Sequence, residues 1–343
     1  MKKLVILLSM FLLLTGCNNQ EKKEATMNFD DKYYEINKPY KVGVGNNYVK
    51  PSVITTYDYE KVDAGLMDIS VSYFDPDELK FQAGQYLTEE KLTTLLSDES
   101  LNKTPEIIKE NQKIKPNYIT SIHEQNFLNK NNKLVGISLA IVLNPYQEYK
   151  NSSGTYLYKA MNIEDTIKFG QEKAQELIKE IRQMKNLKDI KIMTALYVTG
   201  NPNEITGGNF EYIGVTNNNK ITFEKLDYQT NYLTANYVLE KDLNNYTAFN
   251  TLNKNIQKEV DNIYITAIGL YVNNHLNKIE MTVNSSLLTK DKLLMVSQLL
   301  AEEISKQFDE KLLIKGTIKI NNNTKALIVK KRNEIESNIY LLT

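Results

Sequence analysis

Cysteine is almost absent from this chain: Cys17 is the one thiol in 343 residues. No intrachain disulfide can hold the fold, which must rest on its core alone. Tryptophan is missing, and histidine occurs twice, as His123 and His275. With so few soft ligands a nitrogen–sulfur metal site is not expected. Neither charge is in excess, since Lys and Arg number 42 together and Asp and Glu also 42. That balance argues against a nucleic-acid partner, which requires a basic surface. Beyond the N-terminus no apolar run approaches the roughly 18 residues of a membrane-crossing helix.

The lone thiol ends the one apolar run. Lys2 and Lys3 form a short positive region, Leu4 to Leu14 is apolar apart from Ser9, and Thr15-Gly16 are small. This is the layout of a secretory signal peptide, too short to stay as a membrane span. Its end, Leu14-Thr15-Gly16-Cys17, resembles a bacterial lipobox, in which the sulfur receives a diacylglycerol and the peptide is cut just before it. Acyl chains then bury CH₂ groups in the bilayer at about 0.8 kcal/mol each. The reading is a signal peptide over 1–16, a lipidated tether over 17–37, and a body held at the extracytoplasmic face of the cell membrane. The lipid bilayer is thus the first partner expected, through acylated Cys17. The tether is polar and charged, with an edge strand near Tyr33–Ile36 as the alternative.

The body reads as α+β, with one order of elements occurring twice. Strands over Asn117–Leu128 and Lys133–Leu143 flank a polar Asn129–Asn132 turn. A helix follows, carrying Ile163, Ile167, Ala174, Leu177, Ile178, Ile181 and Met184 at three- and four-residue spacing, with Asn162 as N-cap. Asp189–Thr199 and Phe210–Thr216 form a second strand pair. Later, strands over Asn262–Val272 and Asn277–Asn284 flank Asn273-Asn274-His275, and Leu288–Phe308 is a helix. Strands Leu312–Ile320 and Lys325–Lys330 then flank Asn321-Asn322-Asn323. A helix opens each half, at Tyr59–Tyr73 and Thr247–Asp261. The expectation is a duplicated helix-β-β-α-β-β unit, over 38–216 and 217–343, in mostly antiparallel sheets packed by helices.

The halves differ in one insertion, Pro145–Met161, rich in tyrosine. With the loop Gly200–Asn209 it forms the candidate ligand surface, through Tyr146, Tyr149, Tyr156, Tyr158, Gly207 and Gly208. The ligand class is open between cell-wall glycan and peptide. Motifs for chemistry are scarce. His123-Glu124 lacks the second histidine of a zinc-protease helix, because position 127 is Phe. Gly43-Val44-Gly45 begins a dinucleotide fingerprint that Tyr48 breaks. No cofactor is expected. Carboxylates cluster at Asp58, Glu60, Asp63 and Asp68, with Asp75, Asp77 and Glu78 beyond. A wall-acting hydrolase using a carboxylate pair that includes Glu60 is therefore the alternative to a non-catalytic binder.

Phe81-Gln82-Ala83-Gly84-Gln85-Tyr86-Leu87, the strands Ile119–Leu143, the helix 163–185 with Leu187-Lys188-Asp189-Ile190 after it, and the lipobox together resemble the CamS family. These are lipoproteins named as sex-pheromone precursors in Gram-positive bacteria. The resemblance covers about 55–330 and implies two CamS repeats, in line with the duplication. It implies also that a short hydrophobic peptide is released from the signal sequence, here from Leu4–Gly16 and chiefly Met10–Gly16 (MFLLLTG). That run departs from the Ala/Ile/Phe-rich heptapeptide of pheromone-active members. The resemblance implies no catalytic residue.

Overall fold

Asparagine shapes the turns. Among the described residues, every non-glycine position with positive φ is asparagine, the residue besides glycine that best tolerates the left-handed region. The paired Asn273-Asn274 and Asn321-Asn322 both lie there, as two-residue hairpin turns require. The computed structural model describes residues 32–45, 48–50, 58–109, 111–202, 207–217 and 220–342. Cys17, the expected signal peptide over 1–16 and the first part of the expected tether lie outside them.

In chain order the elements are β1 (Glu35–Ile36), α1 (Tyr59–Ser70), β2 (Lys80–Ala83), α2 (Glu89–Leu95), β3 (Ile107–Lys109), β4 (Gln112–Ile114), β5 (Ile119–Leu128), β6 (Leu134–Leu143), β7 (Tyr146–Lys150), β8 (Tyr156–Ala160) and α3 (Ile163–Gln183). There follow β9 (Lys191–Val198), β10 (Asn209–Asn217), β11 (Lys220–Tyr232), α4 (Asn236–Lys241), α5 (Leu243–Glu259), β12 (Ile263–Val272), β13 (His275–Ser285), α6 (Lys290–Gln307), β14 (Leu313–Ile320), β15 (Asn323–Lys330) and β16 (Asn338–Leu341). One 12-stranded sheet runs β1-β2-β5-β6-β9-β10-β11-β12-β13-β14-β15-β16. It is mostly antiparallel. Within it β1 and β2, β6 and β9, and β13 and β14 pair parallel. The sheets expected as separate are thus one, because β11 pairs with β10 through its first part and with β12 through its last.

Each crossover helix joins a parallel pair, α3 between β6 and β9 and α6 between β13 and β14. Asn162 caps α3 by accepting from the Asp165 amide, and Ile167, Ala174, Leu177, Ile178 and Ile181 are its buried stripe. That stripe packs with Ile137, Leu139, Ile141 and Leu143 of β6 and with Leu92 and Leu96 of the α2 region. The opposite face of the same strands carries Ala140, Val142, Met193 and Tyr197, and α1 covers it with Val62, Leu66 and Ile69. The first half of the sheet is buried on both faces. In the second half α5 and α6 share one face, over Ile263, Ile265, Ile279, Ile314 and Ile328. Its other face is open: Tyr264 is 73% exposed.

Three stretches carry more structure than expected. From Lys32 onward the stretch read as tether joins the body, since Tyr34 is buried and Glu35–Ile36 pair with β2. The insertion Pro145–Met161 is a β-hairpin, β7–β8, turning at Gly154 with φ +82°. The stretch between the strand expected at Phe210–Thr216 and the helix expected at Thr247–Asp261 holds β11 and α4. Among the described residues no helix is long and apolar enough to cross a membrane.

Candidate functional site

The open face begins where α1 ends its cover, and a cleft of about 400 Å³ lies at that step. Asp58 caps α1 by accepting from the Lys61 amide, which fixes the helix start at the rim. Helical spacing then turns Lys61, Ala64 and Asp68 into the cleft, with Glu60 beside them. The floor is strand residues of one face: Tyr228, Thr230 and Tyr232 of β11, Ile268 and Leu270 of β12, Lys278 and Glu280 of β13.

Several of its charges are held by neighbours. The Tyr228 hydroxyl donates to Asp68 Oδ2 at 3.1 Å. Burial raises the Asp68 carboxyl above the ordinary range, against the pull of Lys278 and the tyrosine bond. Tyr228 is raised well above its usual value, by burial first and by Asp68 second. Lys278 pairs with Glu280 at 2.6 Å. Lys61 Nζ donates to the Gly208 carbonyl at 2.9 Å, and burial lowers its pKa to about 8, partly offset by Asp58. A smaller hollow continues along α1 past Asp68, lined by Tyr33, Met67, Lys315 and Arg332. There Lys315 Nζ donates to the Tyr33 hydroxyl at 2.7 Å.

The residues expected to form one ligand surface have different neighbours. Tyr146, Tyr149, Tyr156 and Tyr158 sit on the β7–β8 hairpin, with Tyr156 54% and Tyr158 39% exposed. Lys109 lies over the Tyr149 ring and Lys150 over the Tyr156 ring. Gly208 lies beside the α1 cleft, its carbonyl accepting from Lys61, and Gly207 precedes it. Gly207 has φ +72°, and a Cβ on Gly208 would stand 1.9 Å from the Val198 carbonyl oxygen. Glu60 is in the cleft, and Asp68 and Glu280 share it, so a carboxylate set does converge there. Tyr228, Thr230, Lys278 and Glu280 are the residues sequence reasoning missed. The alternation Leu226, Tyr228, Thr230 was the available signal for β11, but nothing in it pointed to α1.

The F-Q-A-G-Q-Y-L stretch has a structural task. Successive amides of Gln85, Tyr86 and Leu87 donate to the Glu124 carboxylate, the last at 2.7 Å. Burial raises the Glu124 carboxyl, against the pull of these donors. His123, its neighbour on β5, is buried with its ring 4.8 Å from that of Tyr59. His123-Glu124 is therefore a strand pair with its side chains on opposite faces, and no protease helix.

Solved structures share this fold. One is a sex pheromone precursor from Lactobacillus salivarius subsp. salivarius UCC118, with TM-score 0.74, 19% identity, and coverage of 83% of this chain and 87% of that one. Another is the C-terminal domain of the sex pheromone staph-cAM373 precursor from Staphylococcus aureus, with TM-score 0.74, 20% identity, and coverage of 84% and 97%. No curated protein matches the chain. Residues 40–336 match the family model described as CamS sex pheromone cAM373 precursor, and the chain belongs to the CamS family.

Proposed function

We propose that this protein is a membrane-anchored surface lipoprotein of the CamS type whose body binds a ligand without transforming it. Membership of the family, together with Leu14-Thr15-Gly16-Cys17, carries this reading. Cleavage before Cys17 and acylation of its sulfur leave the body on the outer side of the membrane, and Met10–Gly16 becomes a source of a short secreted peptide. The two sets of elements, β5-β6-α3-β9-β10 and β12-β13-α6-β14-β15, are copies of one unit. Support comes from their pairing, antiparallel, parallel, antiparallel in each. The leading helices have diverged, because α1 and α3 cover opposite faces while α5 and α6 share one.

The α1 cleft is the binding site of choice, rather than the tyrosine hairpin. It is concave, and it combines an apolar floor with a few convergent polar groups. Carboxylates outnumber lysines in its lining, which suits a site that recognises charge. The hydrolase reading keeps one point in its favour: Glu60 shares the cleft with Asp68, a carboxyl raised by burial, as a general acid is. Release of reducing ends from cell-wall glycan, abolished by Glu60→Gln, would decide for it. For the anchor, Cys17→Ala abolishes labelling by a palmitate analogue and leaves the precursor uncut; continued labelling contradicts the proposal.

A further inference from the structure

Strand β11 changes partners inside the cleft, and the change leaves part of its edge free. Its last residues pair with β12 in the register Tyr228–Val272 to Tyr232–Ile268. At one end the Asp227 carbonyl accepts from the Asn273 amide at 2.8 Å; at the other the Leu233 amide donates to the Ala267 carbonyl at 2.9 Å. In an antiparallel ladder, backbone bonding to one neighbour alternates residue by residue. Residues 227, 229, 231 and 233 therefore turn their amides and carbonyls to β12. Tyr228, Thr230 and Tyr232 turn theirs the other way, towards β10.

Tyr228 finds Phe210 of β10 there. Two residues on, an unbroken β10 would set Gly208 opposite Thr230. Gly208 has left that line. Its amide donates to the Tyr197 hydroxyl at 2.8 Å, and its carbonyl accepts from Lys61 Nζ at 2.9 Å. Only glycine can press so close to Val198 and Thr199, because a Cβ would stand 1.9 Å from one and 2.7 Å from the other. The two groups that would have closed the ladder are thus satisfied elsewhere. Among the described residues no strand pairs with Thr230 on this side, and Thr230 lines the cleft. A buried or half-buried strand edge is costly to leave open and is a template for another strand.

The cleft is acidic on balance. Asp58, Glu60, Asp68 and Glu280 line it against Lys61 and Lys278, and Lys61 is already committed to Gly208. Resting on the binding reading above, we propose that the ligand is an extended peptide, paired as an added strand with β11 at Thr230 and Tyr232 and carrying a lysine or arginine that reaches the cleft carboxylates. Backbone pairing supplies affinity, and the acidic lining selects the side chain. Glycan lacks a backbone whose amides and carbonyls repeat at strand spacing.

The test uses the full-length protein in detergent micelles and a pool of acetylated pentapeptides with a central lysine, randomised elsewhere. Hydrogen exchange is followed at the amides of Thr230 and Tyr232. The pool slows exchange there and not at the outer edge strand Asn338–Leu341. A pool N-methylated at alternate amides, unable to pair, loses about tenfold or more in affinity, and a pool with central glutamate loses a similar factor. Glu280→Gln narrows the lysine-over-glutamate preference, and it leaves the fold intact because its side chain is exposed. Unchanged exchange at Thr230 and Tyr232, equal binding of the N-methylated pool, or indifference to the central charge each overturns the proposal. Should wall glycan fragments bind the cleft while the peptide pools do not, the peptide assignment falls and the binding reading stands.

Discussion

The two halves of the sheet pair their strands alike and bury them differently. In the first half α1 crosses to the face opposite α3, and β6 is covered on both sides; its run LVGISLAIVL is apolar nearly throughout. In the second half α5 lies against α6, and β12 alternates buried and exposed along ITAI. Which face of the sheet a helix covers therefore decides between a closed layer and an open platform, with the order of strand pairing the same in both halves. The cleft sits where the covered and uncovered halves meet. A further parallel survives the difference. In the first half Arg182 donates to the carbonyls of Leu187, Lys188 and Ile190 ahead of β9. In the second, Lys330 donates to those of Asp309, Glu310 and Leu312 ahead of β14. Each closes the turn from crossover helix to parallel strand with one cation on three carbonyls.

The contrast can be broken by mutation. The largest effect belongs to the closed half. Phe127 stacks on Phe74 with ring centres 4.3 Å apart and is fully buried, so Phe127→Ala costs about 3–5 kcal/mol by denaturant unfolding. Tyr264→Ala, on the open face, costs less than about 1 kcal/mol. Equal costs would mean that the open face is covered in solution. Glu124→Ala strands three amides, that of Leu87 buried and those of Gln85 and Tyr86 half-buried, and costs about 2–4 kcal/mol; a loss below about 1 kcal/mol would show the F-Q-A-G-Q-Y-L loop to be held by other contacts.

The turn cations come next. Lys330 is fully buried, whereas Arg182 is partly exposed. Lys330→Met should cost about 2–3 kcal/mol and Arg182→Met about 1 kcal/mol, because water replaces part of what the arginine supplied. The reverse order would end the parallel.

A pH effect at the cleft comes last. Burial holds Lys61 at about 8 in the folded state against 10.5 when unfolded. Between these values the unfolded chain binds a proton the folded chain has shed, so this group makes stability rise with pH across that window. Lys61→Met removes the rise, seen as a flatter difference between variant and parent from pH 8 to 10.5. Asp68 acts in the opposite sense, since its folded carboxyl is raised: its contribution falls as pH climbs above 3.8, and Asp68→Asn removes that fall.

Much of the fold was legible in the residues. Asparagine pairs marked the hairpins, the Asn162 cap and its stripe marked α3, and the strands around them lie within a few residues of expectation. Exposed and half-buried elements were not legible. Strand β11, KITFEKLDYQTNY, is half-buried on both faces and charged, so its alternation is faint, and it falls between the strand expected at Phe210–Thr216 and the helix expected at Thr247–Asp261. The hairpin β7–β8 is mostly exposed and its pairing is local, leaving no apolar stripe to detect. The cleft was least visible. Tyr228 and Asp68 meet across 160 positions of sequence, and only the crossing of α1 to the second face brings them together. Acidic residues near Tyr59 were evident, but nothing local distinguishes Asp68 from a solvated carboxylate.

The account turns on one backbone edge left open beside α1. Amide hydrogen exchange of the unliganded protein reads it directly. Thr230 should exchange far faster than Asn231, whose amide faces β12. Equal protection of the two would place a strand where none is described, and would contradict the open edge and the site built on it.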